Sequence, residues 1–270
     1  MSLIDLGKSL QQRATDMHCG NRIVFHHVPK CGGTSVGRAL RRAYILSQGT
    51  VTPEASMKAF DAAREDRPHL STGDVSELRE MMLLYMLYSD TRCVSAHIPF
   101  SDAAYRRFAG QYVFVTLLRD PVDRFISNYY WSHQHPNGIG HIAESLEEFL
   151  LTKRARHLGS TYVRYFCGEP AQEFTVKHVD AAIRNLHRME CVGFLDEVGR
   201  FATALRQLTG KRLKIGRENV RNTSAKRDAI LSGSIGSMVL AACSFDRDIW
   251  DAVQDLRTRL PGVSLARMGQ

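Results

Sequence analysis

The sequence predicts an α/β protein in three layers, a central parallel β-sheet with helices on both faces. Three observations lead there. Short apolar runs rich in β-branched and aromatic residues recur along the chain, segments of helical pattern separate them, and two of the runs pass through a tight turn directly into a helix. Strands that alternate with helices need crossover connections, and so pair in parallel.

In chain order, "RIVFHHV" (22–28) is the first strand, with the little polar alternation expected of a strand covered on both faces. A helix over 34–46 follows, "TSVGRALRRAYIL", and another over 75–88, "VSELREMMLLYMLY". "TRCVSA" (91–96) and "QYVFVTLL" (111–118) are strands, the second leading into a helix over 121–133. "MECVGF" (189–194) is a further strand. It opens into a helix over 195–210, where Val198, Phe201, Ala202, Leu205 and Leu208 share one face and Gly210 is the C-cap. One long helix is expected over 234–256. No repeat, low-complexity tract or Pro/Gly/Ser linker divides the sequence, so 1–270 reads as a single domain with 1–20 as an N-terminal extension. Residues 48–74 and 134–160, the latter opening on the Gly- and Pro-bearing 134–144, read as insertions of the kind on which acceptor sites are built.

Composition narrows the partners. With 270 residues and 44% hydrophobic content, a large core is available. A net charge of +8 favours anionic ligands, whether a charged nucleotide or an anionic glycan. Nucleic acid would rest on charge alone, since no recognition motif is present, and is not expected. Cys19, Cys31, Cys93, Cys167, Cys191 and Cys243 show no CxxC spacing and read as reduced thiols of a cytoplasmic protein. The N-terminal stretch lacks the apolar core of a signal peptide. The longest apolar run, 81–88, is too short to span a bilayer.

The chemistry concentrates at the two turns. In "HVPKCGGTS" (27–35), Pro29 fixes the exit from the strand, and Gly32 and Gly33 let the backbone approach a ligand. Thr34 and Ser35 open the helix. N–H groups at a helix N-terminus make an anion site, and Lys30 adds a full charge. In a Walker A loop the lysine follows the glycines; here it precedes them. The second turn, "RDPVDRFISNYY" (119–130), places Arg119 at a strand end and Ser127 in the second helical turn, a spacing that lets a guanidinium and a hydroxyl converge on another phosphate.

The two motifs together resemble the 5′- and 3′-phosphate-binding motifs of sulfotransferases that use 3′-phosphoadenosine-5′-phosphosulfate (PAPS), with heparan sulfate 2-O-sulfotransferase and the carbohydrate O-sulfotransferase branch as the nearest likeness. That resemblance implies a P-loop NTPase-like three-layer fold and sulfuryl transfer from PAPS, without a metal, to a hydroxyl of a carbohydrate or small alcohol, leaving PAP. Lys30 would contact the bridging oxygen and the 5′-phosphate, which the backbone of Cys31, Gly32, Gly33, Thr34 and Ser35 would cradle. Arg119 and Ser127 would hold the 3′-phosphate. Cys31 stands where the family often has threonine, and a thiol is a weaker donor; beside positive charge its pKa is expected to fall.

His97, in "VSAHIPF" (94–100), follows a strand and resembles the segment that supplies the base in the 2-O-sulfotransferase branch. Its ordinary pKa suits that role, with a glutamate or aspartate as the alternative. The basic loop 214–228, "KIGRENVRNTSAKRD", resembles the loop that closes over the nucleotide, which adds Ser224 and Lys226 to the donor contacts. His133, His135 and His141 have no supporting carboxylate or cysteine spacing for a metal, and read as a polar loop near the acceptor. "TKRARHLG" (152–159) would face a sulfated or carboxylated acceptor, or water. Two other readings stay open: a P-loop phosphotransferase dependent on Mg²⁺, and a nucleotide-binding protein without catalysis.

Overall fold

The computed structural model describes residues 21–66, 75–138, 140–169, 171, 173–216 and 224–258. Five strands form one all-parallel sheet: β1 (Arg22–His26), β2 (Gln48–Val51), β3 (Cys93–Ala96), β4 (Tyr112–Leu118) and β5 (Cys191–Phe194), in the order β2-β3-β1-β4-β5. The expected fold class is therefore the one observed. β1 lies at the centre, with Ile23 opposite Cys93 on one side and Val113 on the other. Each turn after β1, β3 and β4 consequently emerges at the same edge of the sheet, its carboxyl end, where open parallel sheets bind ligands.

Side chains of successive strand residues point to opposite faces, and the two cores follow that alternation. Ile23, Phe25, Val115 and Leu117 pack against α1 (Gly33–Ala43) and α10 (Val198–Thr209) through Val36, Leu40, Phe201 and Leu205. Val24, Val94, Phe114 and Leu118 pack on the other face, against α3 (Val75–Tyr88), α8 (Thr161–Phe166), α9 (Val176–Arg188) and α13 (Ser244–Ala252). Burying each Leu or Phe contributes about 1.5–3 kcal/mol. A third core joins α5 (Pro121–Gln134) to α7 (Lys153–Gly159) and α12 (Gly236–Ala242) through Phe125, Ile126, Ala155 and Val239.

Two expectations are corrected. The segment 48–74 opens with β2, an edge strand of the sheet, and continues as α2 (Pro53–Asp66); residues 67–74 lie outside the described set. The long helix expected over 234–256 is three pieces: α12, α13 and a 3₁₀ turn at Gln254–Arg257. The chain bends at Cys243, so that α12 joins the third core while α13 turns Asp246 into the interior. The short helices α4 (Asp102–Phe108), α6 (Leu146–Leu150) and α11 (Ser224–Leu231) complete the set. Among the described residues no helix is long and apolar enough to cross a membrane.

Candidate active site

Residues 27–32 carry the chain from β1 into α1. Gly32, the N-cap, is left-handed at φ 76°, and no side chain caps the helix. Its first N–H groups are therefore presented to the mouth of the turn, although the Ser35 N–H folds back on the Gly32 carbonyl at 3.3 Å. Gly33 is required for a different reason: a Cβ there would collide with the imidazole of His27. Lys30 is itself left-handed, at φ 65°, a conformation that costs a non-glycine residue roughly 1–3 kcal/mol and collects at ligand-binding turns. Its ammonium lies 5.0 Å from the centre of the Trp131 ring, which is 39% exposed. Thr34 is exposed at the mouth, and Ser35 is buried.

The second turn is built by its own sequence. β4 ends at Leu118. Asp120 then caps α5 by accepting from the Val122 and Asp123 N–H groups, both at 3.0 Å, and Pro121 takes the first helical position, where no N–H is needed. Arg119 is left between strand and cap, and its Nη1 donates to the Lys30 carbonyl at 3.5 Å. The two turns thus touch. Ser127 is half-buried one turn into α5. Further along that helix, Tyr130 carries the Lys226 ammonium 4.7 Å from its ring centre, while Arg227 pairs with Asp120 and Asp123 at 3.4 and 3.7 Å. Helix α11, which Ser224 opens, therefore docks beside the second turn. Residues 217–223 of the same basic loop lie outside the described set.

His97 follows β3, and its N–H extends the ladder to the Val51 carbonyl at 3.2 Å. Its ring lies against that of His27, centroids 3.9 Å apart and the planes tilted by 31°, and His27 in turn covers Gly33. The histidine is thus joined to the first turn through one imidazole. Its Nδ1 is buried with no hydrogen-bond partner. Burial, then the Arg79 cation, push its pKa down to about 4 against a backbone hydrogen bond at His27, so the ring is neutral and able to accept a proton at neutral pH. Arg79 is itself oriented by donating Nε–H to Ser56 Oγ at 2.8 Å.

His26 and His27 share the depression. Burial holds His26 down at about 4, opposed by its Nδ1–H bond to the Ile98 carbonyl; burial, His97 and Arg41 hold His27 down at about 2. An unfolded histidine titrates near 6.5, so the unfolded chain takes up these protons first. Stability is full above pH 6.5 and falls as pH drops toward 4, by about 2 kcal/mol for each ring by pH 5. Urea unfolding at pH 7 and pH 5 reads this directly. Replacing His26 by phenylalanine should narrow the difference by about one ring's share, and equal wild-type stability at both pH values would contradict the assignment.

Three sequence expectations change in detail. The Cys31 side chain is fully buried, with Sγ 3.5 Å from the Tyr162 hydroxyl, so that residue offers a ligand its backbone alone. Its pKa does not fall: burial pushes the thiol up to about 11, overriding Arg124 and Arg119. His133, His135 and His141 each donate Nδ1–H to a backbone carbonyl, of Ile142, Trp131 and Ser132 respectively, and so fasten the loop after α5 onto that helix. Among the described residues no group of three His, Cys, Asp or Glu side chains is placed to hold a metal. The segment 152–159 is largely helix α7, with Ala155 buried in the third core. Sequence reasoning missed His27, Tyr162 and Trp131. Only His27 left a signal, as the second of two histidines at a strand end, where neighbours point to opposite faces.

No curated protein matches the chain. Residues 13–144, just under half of it, match the model of the sulfotransferase family, a stretch that holds β1 to β4, both turns and His97. That match lies on an all-parallel sheet whose turns after β1 and β4 meet at its carboxyl edge, so this part of the chain is similar to the sulfotransferase family.

Proposed function

We infer that this transferase moves the sulfuryl group of PAPS to a hydroxyl of a carbohydrate or small alcohol, in line and without a metal, and releases PAP. The observation that carries the reading is the contact between the two turns, Arg119 Nη1 to the Lys30 carbonyl at 3.5 Å. It sets two cations and an uncapped helix N-terminus side by side, which suits a nucleotide bearing phosphates at both the 5′ and 3′ positions. Arg119 and Ser127 would hold the 3′-phosphate, with Ser224 and Lys226 closing over the nucleotide. The backbone of 31–35 would hold the 5′-phosphate.

In the transfer, the acceptor oxygen forms a bond to sulfur as the bond from sulfur to the bridging phosphate oxygen breaks. Lys30 stabilises the charge left on that oxygen, and His97 takes the hydroxyl proton. An anionic glycan suits the net charge of +8. The segments 48–74 and 134–160 would supply the acceptor-facing parts of one domain.

A thermal-shift titration tests the donor assignment, because a ligand that binds the folded state alone raises the melting temperature. PAP should stabilise the wild type well beyond 5′-AMP or ATP with Mg²⁺. In Arg119→Ala the advantage of PAP over AMP should fall by about tenfold or more in affinity, the scale of a lost charged hydrogen bond of roughly 1.5–3 kcal/mol. An equal response to AMP, or a response to ATP alone, would turn the assignment toward phosphotransfer.

A further inference from the structure

We propose that Tyr162 is a positioning residue that sets the spacing between the two phosphate turns, and so the enzyme's preference for a 3′,5′-bisphosphate over a 5′-monophosphate; this rests on the donor reading above. Tyr162 lies outside the family-matched stretch and is fully buried, yet its one hydroxyl meets both turns. It accepts from the Arg119 N–H at 2.9 Å and donates to the Arg119 carbonyl. It also stands 3.5 Å from Cys31 Sγ, in the middle of the first turn. A phenol has one proton to give. With that proton on the Arg119 carbonyl, the contact with Cys31 must run from thiol to phenol oxygen. The hydroxyl is then satisfied in all three directions, and each partner is a residue of the cradle.

The strut is anchored behind. The Tyr162 N–H donates to both carboxylate oxygens of Asp246, at 2.8 and 2.9 Å, and Val163 N–H donates to one of them at 3.1 Å. Asp246 pairs with Arg124 at 3.6 Å, both fully buried, and the Arg124 guanidinium lies 5.6 Å from the Tyr162 ring centre and donates to the Leu158 carbonyl. Arg124 belongs to α5, the helix that begins directly after Arg119. A ring held by α5, α8 and α13 thus reaches forward to the two residues that separate a 5′-phosphate site from a 3′-phosphate site. Lys30 and Arg119 are also linked directly, by Nη1 to carbonyl, but that bond uses the side chain that would turn to the ligand. The phenol holds Arg119 by its backbone, without engaging the guanidinium.

The test is Tyr162→Phe, which keeps the ring and deletes the hydroxyl, read as the ratio of PAP to AMP affinity beside the ligand-free melting temperature. The expected result is a fall of about tenfold in that ratio, the scale of one or two neutral hydrogen bonds, with AMP affinity nearly unchanged. A purely structural tyrosine would lower the melting temperature and leave the ratio at its wild-type value, which overturns the proposal. Cys31→Ala removes one contact of the three and carries the same test should Tyr162→Phe not fold. Its ratio should fall about two- to threefold, and an unchanged ratio again overturns the proposal. A wild type with no preference for PAP would instead sink the donor reading itself.

Discussion

Lys30→Ala should lower turnover by about 10²–10³-fold while the protein folds and still binds PAP. The ammonium stands at the mouth of the first turn, 5.0 Å from the Trp131 ring centre, on a residue that is only half-buried. Its removal therefore takes no side chain out of the core. On the proposed mechanism it removes the cation that meets the charge developing as the sulfur–oxygen bond breaks, and a donor aimed at such charge typically supplies about 10²–10³ in rate. Charge that appears mainly in the transition state should register in kcat more than in KM for the donor. Lys30→Arg keeps the cation and should recover part of the rate. A Lys30→Ala enzyme with wild-type turnover would mean that another group meets the leaving oxygen.

His97→Ala should cost about 10²–10⁴-fold in turnover, the range for a positioned general base, with PAP affinity within about twofold of wild type because the proposed mechanism gives His97 the acceptor proton and no phosphate contact. The pH profile separates this role from a structural one. Burial and Arg79 put the ligand-free imidazole at about 4, so kcat/KM should stay level from neutrality down to about pH 5 and then fall as the ring protonates. The phosphates of the proposed donor would bring negative charge to the site and favour the imidazolium, which should move the acid limb of kcat to higher pH than that of kcat/KM. His97→Ala should lose both limbs. The same limbs in the variant would assign them to a carboxylate, the alternative base.

The central strands and both turns were legible because their signals are local. β1 and β4 are nearly unbroken apolar runs, and a glycine pair or an Asp-Pro cap announces the helix that follows each. β2 carried no such signal. Of its residues, QGTV, only Val51 is buried, and its place in the sheet comes from pairing with β3. The break at Cys243 was equally silent, since the apolar pattern of α12 runs on into α13 while each helix faces a different core.

In the site, Lys30, His97 and Arg119 announced themselves by position after a strand. Tyr162 and Asp246 did not, because each acts through a partner more than 80 residues away in sequence or across the core: Tyr162 N–H with Asp246, and the phenol with Cys31. The fate of the Cys31 thiol turned on the same point. Sequence placed positive charge beside it; only the fold shows that burial outweighs that charge.

The most direct measurement follows the label. Wild-type protein is mixed with PAPS labelled in its sulfuryl group and a panel of sugar and simple alcohols, in EDTA, and both PAP release and labelled acceptor are counted. The account predicts equal amounts of PAP and labelled acceptor, insensitive to EDTA and reduced by about 10² or more in Lys30→Ala. Label that stays on PAPS across the panel, with the γ-phosphate of ATP passing to an acceptor once Mg²⁺ is supplied, would contradict it.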